Sequence, residues 1–356
     1  MSIKQKQLTI GLFGFGVVGE GLYKVLNQTT SLNATIRKIC IKHPDKQRNA
    51  PAALFTTDPS ALLNDPEINV IVELIDDADA AWTIVSSALS SGKAVVSANK
   101  KLVAERLSEL LELQRVHHTP FLYESACCAS IPVIRNLEEY YDNDLLQGLQ
   151  GIVNGSTNYI LTRLGEDGLD FQQALKLAQE KGFAESDPTL DIAGIDAVNK
   201  LTILLTHAYG LVAHPSGLIH AGIDKLHAED AVFAKEKQYD IKLVAQARKL
   251  KDGKIAAFVL PQFVKKDNLL ADVRNEYNGV IIESGLAEEQ FFYGKGAGGF
   301  PTASAVLSDL SALRYDYRYE YKKLYRETQS TLTDDFYLRV YVSFDNLAQV
   351  PHGLFE

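Results

Sequence analysis

The chain has 356 residues, 46% hydrophobic and 23% charged, a balance that predicts folded structure and a length sufficient for two domains with their own cores. Its 45 acidic and 36 basic residues leave a formal net charge of -9, which argues against a nucleic-acid binder held by phosphate contacts and against a peripheral protein of anionic membranes. No apolar run approaches the ~20 residues of a membrane span. The start, MSIKQKQLTIGLFGFG, lacks the apolar region of a signal peptide, so a cytoplasmic location is expected.

QLTIGLF (7–13) reads as a strand and is followed by an amphipathic stretch from Val17 to Leu26. TIRKICI (35–41), NVIVELI (69–75), AVVSAN (94–99) and PFLYES (120–125) repeat the strand pattern, with helix-like segments between several of them. Residues 1–135 are therefore expected to be α/β, a doubly wound, mostly parallel sheet of Rossmann type that binds a nucleotide. Between the first strand and helix lies GFGVVG, the residues Gly14, Phe15, Gly16, Val17, Val18 and Gly19. Glycines at this spacing are a weak signal alone, but here they follow a strand and open a helix. Gly14 permits the tight turn, Gly16 lets backbone approach a pyrophosphate, and Gly19 lets helix and strand pack closely. The helix N-terminus then offers free N–H groups to the phosphates.

The second strand ends in ICIKHPDKQR, where NAD-binding chains carry an acidic residue for the ribose hydroxyl. Lys42 and His43 stand there, with Lys46 and Arg48 beyond, which favours the 2′-phosphate of NADP over a merely solvated basic loop. Asp45 keeps NAD open. Lys100 falls just past the end of AVVSAN, where open α/β sheets bind ligands, and Tyr123, Glu124 and Ser125 end the next strand. With Cys40, the neighbouring Cys127 and Cys128 form neither a disulfide framework nor a CxxC metal pattern, and packing is a better account of the pair than a thiol nucleophile.

From about residue 136 the texture changes to α+β, a second domain expected over residues 136–295. LQGIVNGSTNYILTRL has a turn-forming NG and then an apolar run; FQQALKLAQEKG reads as a helix closed by Gly182; DAVNKLTILLTHAYG reads as a more buried helix ending at Gly210. Strands are expected at KIAAFVLPQFV (254–264) and YNGVIIESG (277–285). YGKGAGGFPTASAVLSDLSAL (293–313) is a glycine-rich turn into a helix that returns the chain, over 296–325, to the first domain. Residues 326–356 form a tail with an alternating strand pattern in FYLRVYVSFDNLAQ.

GFAESDPTLDIAGIDAVNK (182–200) concentrates carboxylates around one lysine. Asp196 and Lys200 share a helix face, and a solvated salt bridge is the plain reading, worth only ~0.3–0.5 kcal/mol. Against it, Ile192, Ile195, Val198, Leu201, Ile203 and Leu204 leave little of this helix free of apolar neighbours. A lysine and carboxylates at a buried boundary need a partner or a shifted pKa, and a substrate bearing an amine and a carboxylate would supply one.

Taken together, these motifs resemble homoserine dehydrogenases over nearly the whole chain to about residue 314. GLFGFGVVGEG is similar to that family's nucleotide loop, VELI and VVSANK to its next two sheet signatures, and NGSTNYIL to its substrate-domain entry. GFAESDPTLDIAGIDAVNKL and YGKGAGGFPTASAVLSDL are similar to its signature segment and its returning turn and helix. The resemblance implies reversible NAD(P)-dependent reduction of L-aspartate 4-semialdehyde to L-homoserine, on the route to threonine and methionine. It implies catalysis by Lys200 as proton donor, with Lys100 and Asp196, and substrate contacts from Gly182, Glu185, Asp191, Asp196 and Ser156. It also implies cofactor contacts at Gly14 to Gly19, Lys42, Ser97, Lys100 and Gly298, a homodimer formed through the second domain, and a sodium ion held through backbone carbonyls at Glu124, Cys127, Ala129 and Ile131.

Asp76 and Asp77 replace the family's GG after VELI, CCASIP (127–132) replaces a glycine-rich GGGIP, and Lys295 replaces a proline. The tail resembles the first strand and turn of an ACT regulatory domain, so weak or absent threonine inhibition is expected from a chain ending there. Two alternatives remain: another amino-acid dehydrogenase, such as one acting on aspartate, or a catalytically silent NADP-binding regulatory protein.

Overall fold

The computed structural model describes residues 6–143 and 145–344, and Gly353. Strand β1 (Leu8–Phe13) leads into helix α1 (Val17–Gln28), then β2 (Ala34–Cys40), β3 (Phe55–Thr56), α2 (Ser60–Leu63) and β4 (Val70–Glu73). Helix α3 (Ala78–Ser90), β5 (Ala94–Ser97), α4 (Lys100–Glu105), α5 (Leu107–His117) and β6 (Phe121–Leu122) complete this half. The strands pair in parallel in the order β3-β2-β1-β4-β5-β6. Ile10, Leu12, Ile71, Val72, Val95 and Val96 are fully buried, as befits a parallel sheet covered on both faces. The order reverses between β1 and β4, and ligands of such sheets bind outside the strand ends at that switch point.

The chain then passes through α6 (Val133–Arg135) and one π-helical turn, Asn136–Tyr140. The second half comprises β7 (Leu146–Ile152), α7 (Gly155–Asp167), α8 (Phe171–Glu180), α9 (Thr189–Ile192), α10 (Ile195–Tyr209), β8 (Ile219–His220) and α11 (Ala228–Glu236). The long strands β9 (Tyr239–Lys249), β10 (Ile255–Lys265), β11 (Tyr277–Ser284) and β12 (Glu288–Lys295) follow, then α12 (Gly299–Leu313) and β13 (Leu332–Thr333). The second sheet runs β12-β11-β7-β9-β10-β13, with β8 also on β10, and its long pairs are antiparallel. The molecule is thus α/β, a Rossmann-type sheet joined to an α+β sheet domain.

Helix α10 is buried from Asp196 to Tyr209, so the solvated-face reading of its Asp196–Lys200 pair does not hold. Helix α12 returns to the first sheet and packs on α1 at glycine. A Cβ on Gly21 would lie 3.0 Å from the Gly299 carbonyl oxygen, and one on Gly299 would lie 2.9 Å from that of Val17. The strand expected in FYLRVYVSFDNLAQ is not formed over residues 336–344, and the rest of that segment lies outside the described residues. Its aromatic rings are drawn down instead: Phe336 stacks on Phe258 and Tyr341 on Phe233, with centroids 5.6 and 4.7 Å apart. Aromatic contact with the domain surface takes the place of strand pairing over these residues.

Candidate active site

The glycine loop has the geometry its spacing requires. Gly14 has φ of +92°, and a Cβ there would lie 2.6 Å from the Leu74 carbonyl oxygen. A Cβ on Gly19 would lie 2.4 Å from the Gly14 carbonyl oxygen. One on Gly16 would meet nothing within 4 Å. Two glycines thus serve the protein's own packing, while Gly16 leaves an open approach at the N-terminus of α1, whose first-turn N–H groups have no intrahelical acceptor. That cradle fits a dinucleotide pyrophosphate. Val17 is exposed and Val18 half-buried beside it, and the Phe15 ring packs edge-on against Phe55, 5.2 Å away.

At the end of β2, Lys42 and Lys46 are exposed. Arg48 is turned inward, donating to the carbonyls of His43 and Lys46 at 2.6 Å and lying over the Phe55 ring at 5.6 Å, so it shapes this loop. Ser97 is buried, and its hydroxyl donates to Glu73. Gly298, with φ of +115°, caps α12 opposite the loop. Asp77 caps α3 by accepting from the amides of Asp79 and Ala80, and Asp76 is exposed.

Lys100 begins α4, and its ammonium lies 2.8 Å from Asp196 Oδ1. Lys200 lies one turn along α10 from Asp196 and places its ammonium 2.7 Å from Oδ2. One carboxylate therefore bridges two lysines, one from each half of the molecule. Lys200 also donates to the Val153 carbonyl at 2.6 Å, and Asn154 donates to Asp191 at 2.7 Å and to Asp196 at 2.9 Å. Burial opposes the Asp196 charge, but Lys200 and Lys100 outweigh it and hold the carboxyl well below the usual range. Burial likewise opposes the Lys200 charge, and Asp196 outweighs it, leaving the lysine above its ordinary value. Both groups are charged at neutral pH.

Asp191 joins this cluster through Asn154, whereas Glu185 and Gly182 lie exposed on the loop between α8 and α9. Ser156 donates to the Phe183 carbonyl at 2.6 Å and so fixes that loop to the start of α7. Asn154 and the Val153 carbonyl are participants that residue-by-residue reading missed. The signal for Asn154 was its place before Gly-Ser-Thr, an N-cap position, and its Oδ1 does accept the Thr157 amide at 2.9 Å. Glu73 was missed as well, although it lies in VELI.

At the set expected to hold sodium, the Glu124 carboxylate serves the protein's own backbone, which leaves main-chain carbonyls as the ligands there. Both carboxylate oxygens of Glu124 accept backbone amides, those of Ile134 and Arg135, each at 2.9 Å. The Ile131 carbonyl accepts the Val133 amide at 2.8 Å. Cys128 and Ala129 have φ of +54° and +39°, which suits the glycines of GGGIP better than the residues present. Among the described residues no group of three or more His, Cys, Asp or Glu could hold a metal ion. Burial pushes the Cys127 thiol well up and that of Cys128 to about 11, so both are protonated packing groups beside Lys200.

A dinucleotide cradle joined at its switch point to two lysines bridged by the buried Asp196 defines a nicotinamide-dependent oxidoreductase. The family model described as homoserine dehydrogenase matches residues 132–311, and that of the homoserine dehydrogenase NAD-binding domain matches residues 14–124. The chain belongs to the homoserine dehydrogenase family. It is 35% identical to the homoserine dehydrogenase of Bacillus subtilis over 323 residues, covering 88% of this chain and 74% of that protein. With that of Neisseria gonorrhoeae it shares 37% over 313 residues, 86% of this chain and 72% of the other. A homoserine dehydrogenase structure from Thiobacillus denitrificans superposes with a TM-score of 0.82 at 34% identity, covering 92% of this chain and 79% of that one. A hyperthermophilic archaeal homoserine dehydrogenase in complex with NADPH does so at 0.74 and 25% identity, covering 88% and 99%.

Proposed function

We propose that this protein interconverts L-homoserine and L-aspartate 4-semialdehyde, with NADP as the preferred nicotinamide, in the synthesis of threonine and methionine. The observation that carries this reading is the Lys200–Asp196–Lys100 bridge at the mouth of the nucleotide sheet. Bound in that cradle, the nicotinamide supplies or accepts the hydride. Lys200 holds its proton at Nζ, fixed by Asp196 and the Val153 carbonyl, and gives it to the substrate oxygen as negative charge develops there. Lys100, half-exposed, stands on the cofactor side of the same carboxylate and steadies that charge. Asp191 and Glu185 receive the substrate ammonium, with Gly182 and Ser156 lining the pocket. Lys42 and Lys46 face the 2′-phosphate. The chain works in the cytoplasm as a homodimer built on its second sheet, and among the described residues no helix is long and apolar enough to cross a membrane. Nothing in the site or its relatives favours an aspartate-specific or catalytically silent alternative.

The test is oxidation of L-homoserine followed at the reduced-nicotinamide absorbance, with NADP and NAD in parallel. Turnover, faster with NADP, is expected. A protein that binds NADPH yet oxidises no homoserine would overturn the activity, and a preference for NAD would overturn the role of Lys42.

A further inference from the structure

Glu73 is the last residue of β4 and is fully buried, in register with Phe13 of β1 and Ser97 of β5. It therefore lies at the switch point of the sheet, below the cofactor crevice rather than in it. One carboxylate oxygen accepts the Ile75 amide at 2.7 Å, and the other accepts the Ser97 hydroxyl at 2.5 Å. Ser97 Oγ in turn accepts the Asn99 amide at 3.1 Å. Asn99 donates its side-chain amide to the Ile75 carbonyl at 3.1 Å and caps α4 by accepting the Leu102 amide at 2.9 Å. Lys100 is the first residue of that helix, and it reaches Asp196. An unbroken chain of hydrogen bonds thus runs from Glu73 to the turn that presents Lys100.

A carboxylate buried beside a hydroxyl and an amide, with no cation paired to it among the described residues, is costly to keep ionised unless its charge does something. The charged group that bears on it is Asp76, of like sign, on the loop after β4; β1 and β5 face it with Phe13 and Ser97. We propose that Glu73 is a positioning residue for the reaction: ionised, it holds Ser97 and Asn99 so that Lys100 meets Asp196 and the nicotinamide end of the crevice, and protonated, it releases that turn. This rests on the dehydrogenase reading above and deepens it.

The chemistry of the two states differs at Ser97. The ionised carboxylate accepts from both the hydroxyl and the Ile75 amide. Once one oxygen carries a proton, that oxygen donates, and Ser97 Oγ, already accepting from Asn99, must turn its own proton elsewhere. Burial, reinforced by Asp76, raises the Glu73 pKa to about 7, which sets the change within the working range.

Glu73→Gln mimics the protonated form. The experiment follows kcat and KM for homoserine oxidation from pH 5.5 to 9, together with NADPH affinity by fluorescence titration. The wild type should show a limb near neutrality in kcat/KM and in NADPH affinity. Glu73→Gln should lack both limbs, keep only the rise that Lys200 sets on oxidation, and at pH 8 fall about tenfold below the wild type. Ser97→Ala, which cuts the link but keeps the carboxylate, should lose the same limbs and serves if the first variant does not fold. A variant that keeps the wild-type limbs, or matches wild-type kcat and KM at pH 8, overturns the proposal. So does a loss that is uniform across pH, the mark of a purely structural role. If the wild type oxidises no homoserine, the activity assignment fails separately, and the NADPH titrations alone decide the role of Glu73.

Discussion

Lys200 gains its position from three contacts, with Asp196, the Val153 carbonyl and its own buried helix, and each depends on a different stretch of chain. Removing the ammonium while keeping the length of the side chain, as in Lys200→Met, should lower turnover by ~10²–10⁴-fold with the fold intact. Steady-state kinetics beside a melting curve checks this, and near-normal turnover would remove Lys200 from the chemistry. Because Asp196 holds this lysine above its ordinary value, the direction of reaction matters. Oxidation needs the lysine to accept a proton and should keep accelerating toward and beyond pH ~10, while reduction of the semialdehyde should decline there. Equal pH profiles in the two directions would contradict the assignment. The pairing of Asp196 with Lys200 was legible in their four-residue spacing. The bridge to Lys100 was not, because 96 positions separate it from Asp196 and only the packing of α4 against α10 closes that distance.

At the level of elements, the glycine loop separates packing from binding. Gly19→Ala would press a methyl group into the Gly14 carbonyl and should destabilise the protein by about 1–3 kcal/mol. Gly16→Ala meets open space and a permissible φ of -85°, so its effect on stability should stay within about 1 kcal/mol. Its methyl group instead occupies the phosphate approach, so NADPH affinity should fall markedly. Denaturant melts and NADPH titrations of both variants distinguish these outcomes, and equal losses of stability would show that the two glycines do the same work. The strands β1, β2, β4 and β5 were readable because each is a short apolar run between helical periods. Strands β7, β9 and β12 were not singled out. LQGLQGI carries two glycines, YDIKLVAQARK hides Lys242 among apolar neighbours, and EEQFFYGK is an edge strand with charge at both ends. In an antiparallel sheet such residues are tolerated because partner strands and loop carbonyls satisfy them. Lys242, for example, donates to the Val273 carbonyl at 2.5 Å.

Across the whole molecule, buried polar groups tie the two halves together. Tyr123 at the end of the first sheet bonds His207 of α10 at 2.9 Å and Tyr321 at 3.1 Å, and Glu138 holds the other ring nitrogen of His207 at 2.8 Å. Nearby, Asp309 of α12 accepts the Glu124 amide at 3.0 Å and pairs with Arg135 at 2.9 Å. Burial raises Asp309 to about 7 despite Arg135, and burial with the Asp309 charge raises Glu124 to about 8. A carboxyl raised on folding stabilises fully below its unfolded pKa near ~4 and loses that contribution as pH rises through its folded value. Asp309→Asn should therefore resemble the wild type near pH 5 and gain on it toward pH 8, with a shallower fall by up to about 1.4 kcal/mol per pH unit. Melting temperatures across that range provide the check, and parallel curves would exclude a titrating Asp309.

The nucleotide loop, the parallel sheet and the residues able to carry charge to a substrate follow from the chain alone, because glycine spacing, apolar period and helix-face geometry are local properties. Tertiary structure decided which charges meet. It set Lys100 against Asp196, drew Asn154 and the Val153 carbonyl into the cluster, turned Glu124 onto backbone amides, and buried Glu73 beneath the turn it holds. A buried charge is settled by its nearest dipoles and counter-ions, and those arrive from segments far apart in the chain.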